Sequence, residues 1–223
     1  HELRTPVSNL MTQTQVALAK ARSSAEYREV LESNCEEFDR LSRMISDMLF
    51  LAKSENGLIV PGQETFDLAY EVAALFDFYG ALAEENGVSL RLEGAGQVTG
   101  DRLMLRRAIG NLLSNALRYT PSGGRIVVTV SVVRDSPDAE AVHLSVENTG
   151  EPIPSEHLSR LFDRFYRVDA SRRHSGDGAG LGLAITRSIL RSHGGDIEGR
   201  TGKGCNIFEM WIPTSIVTPR SAD

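Results

Sequence analysis

Residues 101–119 read DRLMLRRAIGNLLSNALRY. Leu105, Ala108, Ile109, Leu112, Leu113 and Ala116 recur at steps of one, three and four, which predicts a helix with a strongly apolar inside face. Asn111 and Asn115 stand one turn apart and share a side of it. Two amides facing the core of so apolar a helix are costly unless something occupies them. An amide oxygen is a hard ligand suited to magnesium. Arg118 and Tyr119 end the same helix and offer a cation for a phosphate and a ring to lie beside a base. The residues alone leave a plainer reading open, in which the amides cap or face solvent and the arginine is a surface charge.

Working outward, Pro121 and Gly123-Gly124 stop the helix. Valine-rich strands are predicted at Arg125–Val133 and Ala141–Glu147, joined by a polar turn at Asp135–Asp138. Further on, a short helix is expected at Leu158–Phe165, a Gly- and Ser-rich loop at Arg172–Gly180, a helix at Leu181–Ser192, and strands at Asp196–Glu198 and Cys205–Trp211. Upstream lie a helix over 68–86 and a strand at Val88–Leu92. Strands and helices mixed in this order predict one mixed sheet with helices on one face, a two-layer α/β sandwich.

The first part of the chain has a different pattern. Residues 2–20 and 24–54 read as two helices joined by a short turn, with Ser24 as N-cap of the second. Tyr27, Leu31, Asn34, Phe38, Leu41, Ile45, Met48 and Ala52 alternate steps of four and three, the repeat of a helical bundle. A lone hairpin buries little, so dimerisation into a four-helix bundle is expected. Gly57, Pro61 and Gly62 end the hairpin. The expected division is a helical domain at 1–57, a linker at 58–63, the sandwich at 64–215 and a tail at 216–223, with few contacts across the linker.

A net charge of -6 excludes a domain-wide basic footprint for nucleic acid. No run of about 18 apolar residues predicts a membrane span in this stretch. Cys35 and Cys205 make neither a zinc-ligand spacing nor a Cys-x-x-Cys pair, and read as small apolar residues.

Three further groups carry candidate chemistry. His1 has Glu2 beside it and Thr5 one helical turn on; a neutral imidazole is a competent nucleophile, and a neighbouring carboxylate can orient it. Asn148 and Gly150 follow a valine strand, where an amide could hydrogen-bond the edge of a ring and a glycine lets the backbone approach it. Gly176, Gly178, Gly180 and Gly182 alternate into a helix start, an arrangement suited to phosphates. The chain lacks the Lys-Ser/Thr ending of a P-loop, and no strand leads into these glycines, so a glycine lid over a triphosphate fits better. On the residues alone, a chance surface histidine, an ordinary turn and a plain surface loop remain open for the three groups in turn.

Taken together these segments resemble the sensor histidine kinases. His1–Pro6 resembles their H box, Asn111–Tyr119 the N box, Asn148–Gly150 the G1 box, Leu161–Arg167 (LFDRFYR) the F box and Gly178–Leu183 (GAGLGL) the G2 box, all in family order. The resemblance implies a dimeric four-helix bundle followed by a gyrase-type ATPase sandwich. It implies that His1 accepts the γ-phosphoryl group of ATP and passes it to an aspartate of a response regulator receiver domain, with Glu2 as general base. Thr5 matches the position that helps place water when phosphate is stripped from the partner. Asn111 and Asn115 match ligands of Mg²⁺ and phosphate, Arg118 a basic residue near the phosphates, and Tyr119 a neighbour of the base. Phe165 flanks the lid, and Gly178, Gly180, Leu181 and Gly182 match the lid and its following helix. The segment ENTGEPIPSEHLSRLFDRFYRVD resembles the heavy-metal (copper or silver) branch, which implies a cytoplasmic portion of an inner-membrane sensor.

Asn148 stands where the family usually has an aspartate that accepts from the adenine amino group, and Pro152 replaces the second glycine of that box. A neutral amide predicts several-fold weaker nucleotide binding than a carboxylate. Two other readings compete: a degenerate nucleotide-binding scaffold of the same fold, and a related ATPase without phosphohistidine chemistry. His1 with Glu2 argues against the second, and the intact N-box asparagines and G2 glycines against the first.

Overall fold

The computed structural model describes residues 3–136, 139–168 and 179–214. It opens with α1 (Arg4–Leu18) and α2 (Ser24–Glu55), which form the predicted hairpin. The N-cap of α2 is Ser23, one residue earlier than expected. Glu26 N–H donates to Ser23 Oγ, and the Glu26 carboxylate accepts from Ser23 N at 2.8 Å, closing a reciprocal cap.

The expected seam divides in two. Asn34 and Leu41 are buried inside the hairpin, joined by Met44 and Leu51, which the seam had omitted. Leu31, Phe38 and Ile45 remain 62%, 59% and 46% exposed. The apolar face of α2 is therefore wider than one partner helix can cover, the pattern of a bundle helix with more than one neighbour.

The sandwich follows as β1 (Glu64–Asp67), α3 (Leu68–Glu85), β2 (Ser89–Gly94), β3 (Gln97–Gly100), α4 (Arg102–Tyr119), β4 (Arg125–Ser136), β5 (Ala139–Thr149), α5 (Ser155–Leu158), α6 (Gly182–Ser192), β6 (Asp196–Gly202) and β7 (Cys205–Pro213). The main sheet has the order β2-β4-β5-β7-β6, parallel between β2 and β4 and antiparallel elsewhere. β1 and β3 pair separately and antiparallel; at four residues each they carry too little alternation to be read in advance. The short helix expected at Leu158–Phe165 is instead α5, ending at Leu158 and followed by tight turns, with Arg160 N bonded to His157 O and Asp163 N to Arg160 O. Pro154 sets its start by fixing the backbone at the N-cap.

Ile126, Val128 and Val130 of β4 and Val142, Leu144 and Val146 of β5 alternate inward. They meet Val72 and Leu75 of α3, Leu105, Ile109, Leu112 and Leu113 of α4, and Ile185 and Ile189 of α6 in one core. Asn148 continues the inward line of β5 one step beyond Val146, so the strand itself carries an amide to the core edge.

The hairpin is docked on the sandwich more firmly than the glycine- and proline-containing linker suggested. Asp47 pairs with Arg107 of α4, whose guanidinium also lies 4.9 Å from the centroid of the Phe50 ring. Ser188 Oγ of α6 donates to Ser54 Oγ at 2.6 Å, and Glu55 pairs with Arg164. Met44 and Leu51 belong to the same apolar cluster as the sandwich core. No helix among the described residues is long and apolar enough to cross a membrane.

Candidate nucleotide site

The N-box helix and the helix after the glycine-rich loop are tied at the point where Asn111 meets Gly182. Asn111 Nδ2 donates to Gly182 O at 3.1 Å and, more distantly, to Thr186 Oγ1 at 3.5 Å. Thr186 is fully buried and donates to Gly182 O at 3.0 Å. A carbonyl can only accept, so the amide nitrogen must face Gly182 and Oδ1 is turned away from it. That leaves Asn111 an oxygen to offer a cation. Asn115 is half-buried on the next turn of α4, while Arg118 and Tyr119 are exposed at its end.

Asn148 is 3% exposed at the end of β5. Its Nδ2 donates to Thr120 Oγ1 at 3.3 Å and to Thr149 O at 3.2 Å. Thr120, just beyond the N box, is buried and donates its own hydroxyl to Ala116 O at 2.6 Å. These two acceptors occupy the amide nitrogen and fix which way the amide points. Its oxygen remains as the acceptor for a ligand donor.

Gly150 is required by the protein itself. A Cβ there would lie 2.9 Å from Tyr119 O, so the glycine lets the end of α4 close against the end of β5. The loop that follows carries Pro152 and is clamped by Asn206 of β7, a residue not singled out from the sequence. Asn206 is buried, accepts from Ile153 N at 3.0 Å and from Thr201 Oγ1 at 2.9 Å, and donates to Glu151 O at 3.0 Å. The missing second glycine of the G1 box is thus met by a fixed loop. Asn206 lies on the inward line of β7, and an asparagine among Phe208, Met210 and Ile212 was the available signal.

At the other side of the glycine-rich segment, Phe165 N donates to Gly180 O at 3.0 Å. Phe165 has φ +61° and Gly180 φ +72°, both left-handed, and a Cβ on Gly180 would sit 2.9 Å from the Phe165 carbonyl carbon. The pair closes the base of the loop only with glycine at 180. Leu181 is buried in the core at the N-cap of α6, so its side chain anchors the helix and only its backbone borders the loop. Thr5 is exposed in the first turn of α1. His1, Glu2 and Gly178, together with Gly176, lie outside the described residues.

Two neighbours complete the setting. His193 is buried with Nδ1 2.7 Å from Ile189 O, while Nε2 accepts from Asp101 N at 2.9 Å, so the neutral ring joins the end of α6 to the start of α4. Burial holds its pKa below the ordinary value. Glu71 of α3, also buried, pairs with Arg102 of α4 at 2.6 Å and with Arg106 at 3.5 Å. These contacts hold α3, α4 and α6 in fixed relation around the asparagines.

The comparisons with known proteins match both halves. The model of the histidine kinase-, DNA gyrase B-, and HSP90-like ATPase matches residues 100–216, and that of the His Kinase A (phospho-acceptor) domain matches residues 1–57. The sensor histidine kinase CusS of Escherichia coli strain K12 is 54% identical over 214 residues, covering 96% of this chain and 44% of CusS. The chain spans less than half the length of the curated relatives it matches. Among solved structures, Acinetobacter baumannii histidine kinase AdeS has the same fold, with a TM-score of 0.78, 23% identity, and coverage of 96% of this chain and 98% of that one. Histidine kinase ThkA, solved in complex with response regulator protein TrrA, superposes with a TM-score of 0.73 at 22% identity, covering 96% of this chain and 59% of ThkA. With a phospho-acceptor hairpin ahead of an ATPase sandwich whose family model covers more than half of its length, the chain belongs to the sensor histidine kinase family, in the branch that includes CusS.

Proposed function

We propose that the chain binds Mg-ATP in the sandwich, transfers the γ-phosphoryl group to a ring nitrogen of His1, and passes it on to an aspartate of a response regulator receiver domain. The observation that carries this reading is the pinning of Asn111 to Gly182 O, because it joins the N-box helix to the glycine-rich segment and leaves an amide oxygen free beside it. Asn111 and Asn115 fit a magnesium ion held jointly with phosphate oxygens; the ion would neutralise the charge of the triphosphate. Arg118 adds a cation for the phosphates, and the Asn148 oxygen accepts from the adenine amino group.

Glu2 takes the proton from His1 as the Nε or Nδ lone pair attacks, and the leaving group is ADP. Thr5, one turn further along α1, positions water when phosphate is removed from the partner. Two copies form the working unit through residues 1–57, with 58–63 as linker and 64–215 as the ATPase domain. As part of a CusS-like sensor the chain would work on the cytoplasmic side of the membrane, where ATP is available. The complex of ThkA with TrrA supports a response regulator as the partner class.

The test is incubation of the chain with ATP labelled in the γ-phosphate. The expected product is a protein-bound label that survives base, is lost in acid, and is absent from His1→Gln. Acid-stable label, or label retained by that variant, would overturn the reading. ATP hydrolysis with no protein-bound label would point to the related ATPase instead.

A further inference from the structure

The hairpin meets the sandwich at one end only, and its register says which. Asn34 Nδ2 donates to Thr14 Oγ1 at 3.3 Å, so positions 14 and 34 lie level where α1 and α2 run antiparallel. Both helices rise equally per residue, so each step back along α1 is matched by a step forward along α2. Leu3 therefore falls level with Ile45, between Met44 and Asp47. It packs against the apolar cluster that joins Met44 and Leu51 to the sandwich core. In the sequence Leu3 stands two residues after His1, the proposed acceptor.

At this end α2 grips the two helices that form the candidate nucleotide site. Asp47 pairs with Arg107 of α4, and that guanidinium lies 4.9 Å from the centroid of the Phe50 ring. Arg107 stands one turn before Asn111 on the same helix. Ser54 Oγ accepts at 2.6 Å from Ser188 Oγ of α6, within two turns of Gly182. Asn111 and Gly182 are themselves bonded. The linker is tied as well. Leu58 N donates to Lys53 O at 2.9 Å, and Gly62 N donates at 3.2 Å to Asp101 Oδ2, on the residue that caps α4. Of these contacts Asp47–Arg107 is the one between full charges that reaches the N-box helix. Arg43, one turn earlier on α2, adds a second positive charge near the Asp47 carboxylate. A charge-assisted bond fixes orientation as well as holding two elements together.

We propose that Asp47 and Arg107 are positioning residues for the phosphoryl transfer: their pair seats the nucleotide site against the acceptor end of the chain's own hairpin. This rests on the function proposed above and adds which hairpin each sandwich serves. Neither residue needs to touch the reacting atoms. The pair acts through α4, whose next turn carries Asn111, and correct placement of reactants governs rate more strongly than the strength of the pair itself.

The test measures the initial rate of base-stable, acid-labile labelling by γ-labelled ATP at saturating nucleotide, with ATP affinity followed separately by calorimetry. Asp47→Arg and Arg107→Asp are each expected to label about tenfold more slowly, with ATP affinity within about twofold of the wild type. The double exchange, Asp47→Arg with Arg107→Asp, is expected to recover most of the rate, which structural damage at either site would not allow. Mixing the two single-variant chains under subunit exchange is expected to recover nothing, because each chain's own pair stays like-charged. Recovery on mixing would show that the sandwich serves a second copy and would overturn the assignment to its own hairpin. Single variants as fast as the wild type or faster, a double exchange no better than the singles, or a loss of ATP affinity as large as the loss of rate would overturn the positioning role. A wild type that takes up no label overturns the proposed function and this inference together, whereas normal labelling of the wild type and both single variants overturns this inference alone. Should circular dichroism show a charge reversal misfolded, Asp47→Asn keeps the shape of the side chain and carries the same rate measurement. A several-fold loss is expected there, and an unchanged rate would overturn the role of the pair.

Discussion

Asn148 shows how much a single amide can decide. A carboxylate in its place would gain at most the roughly 1 kcal/mol that separates charged from neutral hydrogen bonds, at the adenine contact proposed above. It also loses donation to Thr120 and sets an oxygen against Thr149 O, which the native amide meets as a donor at 3.2 Å. An unmet buried acceptor costs about 1–3 kcal/mol, so the loss outweighs the gain. Asn148→Asp is therefore expected to lower stability by about that amount and to bind ATP no more tightly, as measured by denaturant titration and calorimetry. Tighter nucleotide binding in that variant would return the residue to the role of a weakened aspartate. His193 makes a second prediction at this scale. Its folded pKa is depressed by burial, so between that value and its unfolded value of about 6.5 the unfolded chain binds more protons. The contribution to stability is then full above about pH 6.5 and is lost as pH falls toward the folded value. Thermal melts should fall with acidification across that window, with a smaller slope in His193→Gln. Equal slopes would remove His193 as a source of acid sensitivity.

α2 has two duties that its sequence presents as one stripe. Leu41, Met44 and Leu51 are buried, the last two in the cluster shared with the sandwich core, whereas Phe38 and Ile45 are exposed. A charge at Leu41 would therefore damage the hairpin itself. Paired glutamates at Phe38 and Ile45 are expected to convert the proposed dimer to a monomer in light scattering while leaving the melting temperature of the sandwich unchanged. An unchanged dimer mass would exclude this face. The lower end of α2 instead grips the sandwich through Asp47–Arg107, Phe50 and Ser54–Ser188. Seven-residue periodicity was legible because bundle packing is local and repetitive. Which line of that repeat faces its own hairpin depends on how α1 lies against it, and the pattern of α2 alone does not contain that.

For the whole molecule, the docked hairpin and sandwich represent one arrangement of two bodies. In the reaction proposed above, His1 would meet the ATP site and a receiver aspartate in turn, which calls for at least two arrangements. The contacts that such a change would open include the half-buried ion pair of Asp47 with Arg107, where burial raises the Asp47 carboxyl above its ordinary value despite the guanidinium. Arg107→Ala is expected to widen the distribution of distances between labels on α2 and on β6 in single-molecule measurements. A single unchanged distance, with or without ATP, would show that Arg107 is not part of the latch.

The sequence by itself determined the helical hairpin, the order of the main strands and helices, and the places of Asn111 and Asn115 on one helix and of Asn148 at a strand end, because each rests on local periodicity or on turn chemistry within a few residues. Tertiary structure alone decided the rest. Thr120 and Asn206 enter the site only because the end of α4 packs against the end of β5 and β7 pairs with that strand, and their hydrogen bonds fix an amide and a loop that are distant in sequence. The β1–β3 pair and the docking of α2 likewise depend on which surfaces meet. Burial is a property of the assembled chain, and a polar residue's role is set by the partners that burial leaves it.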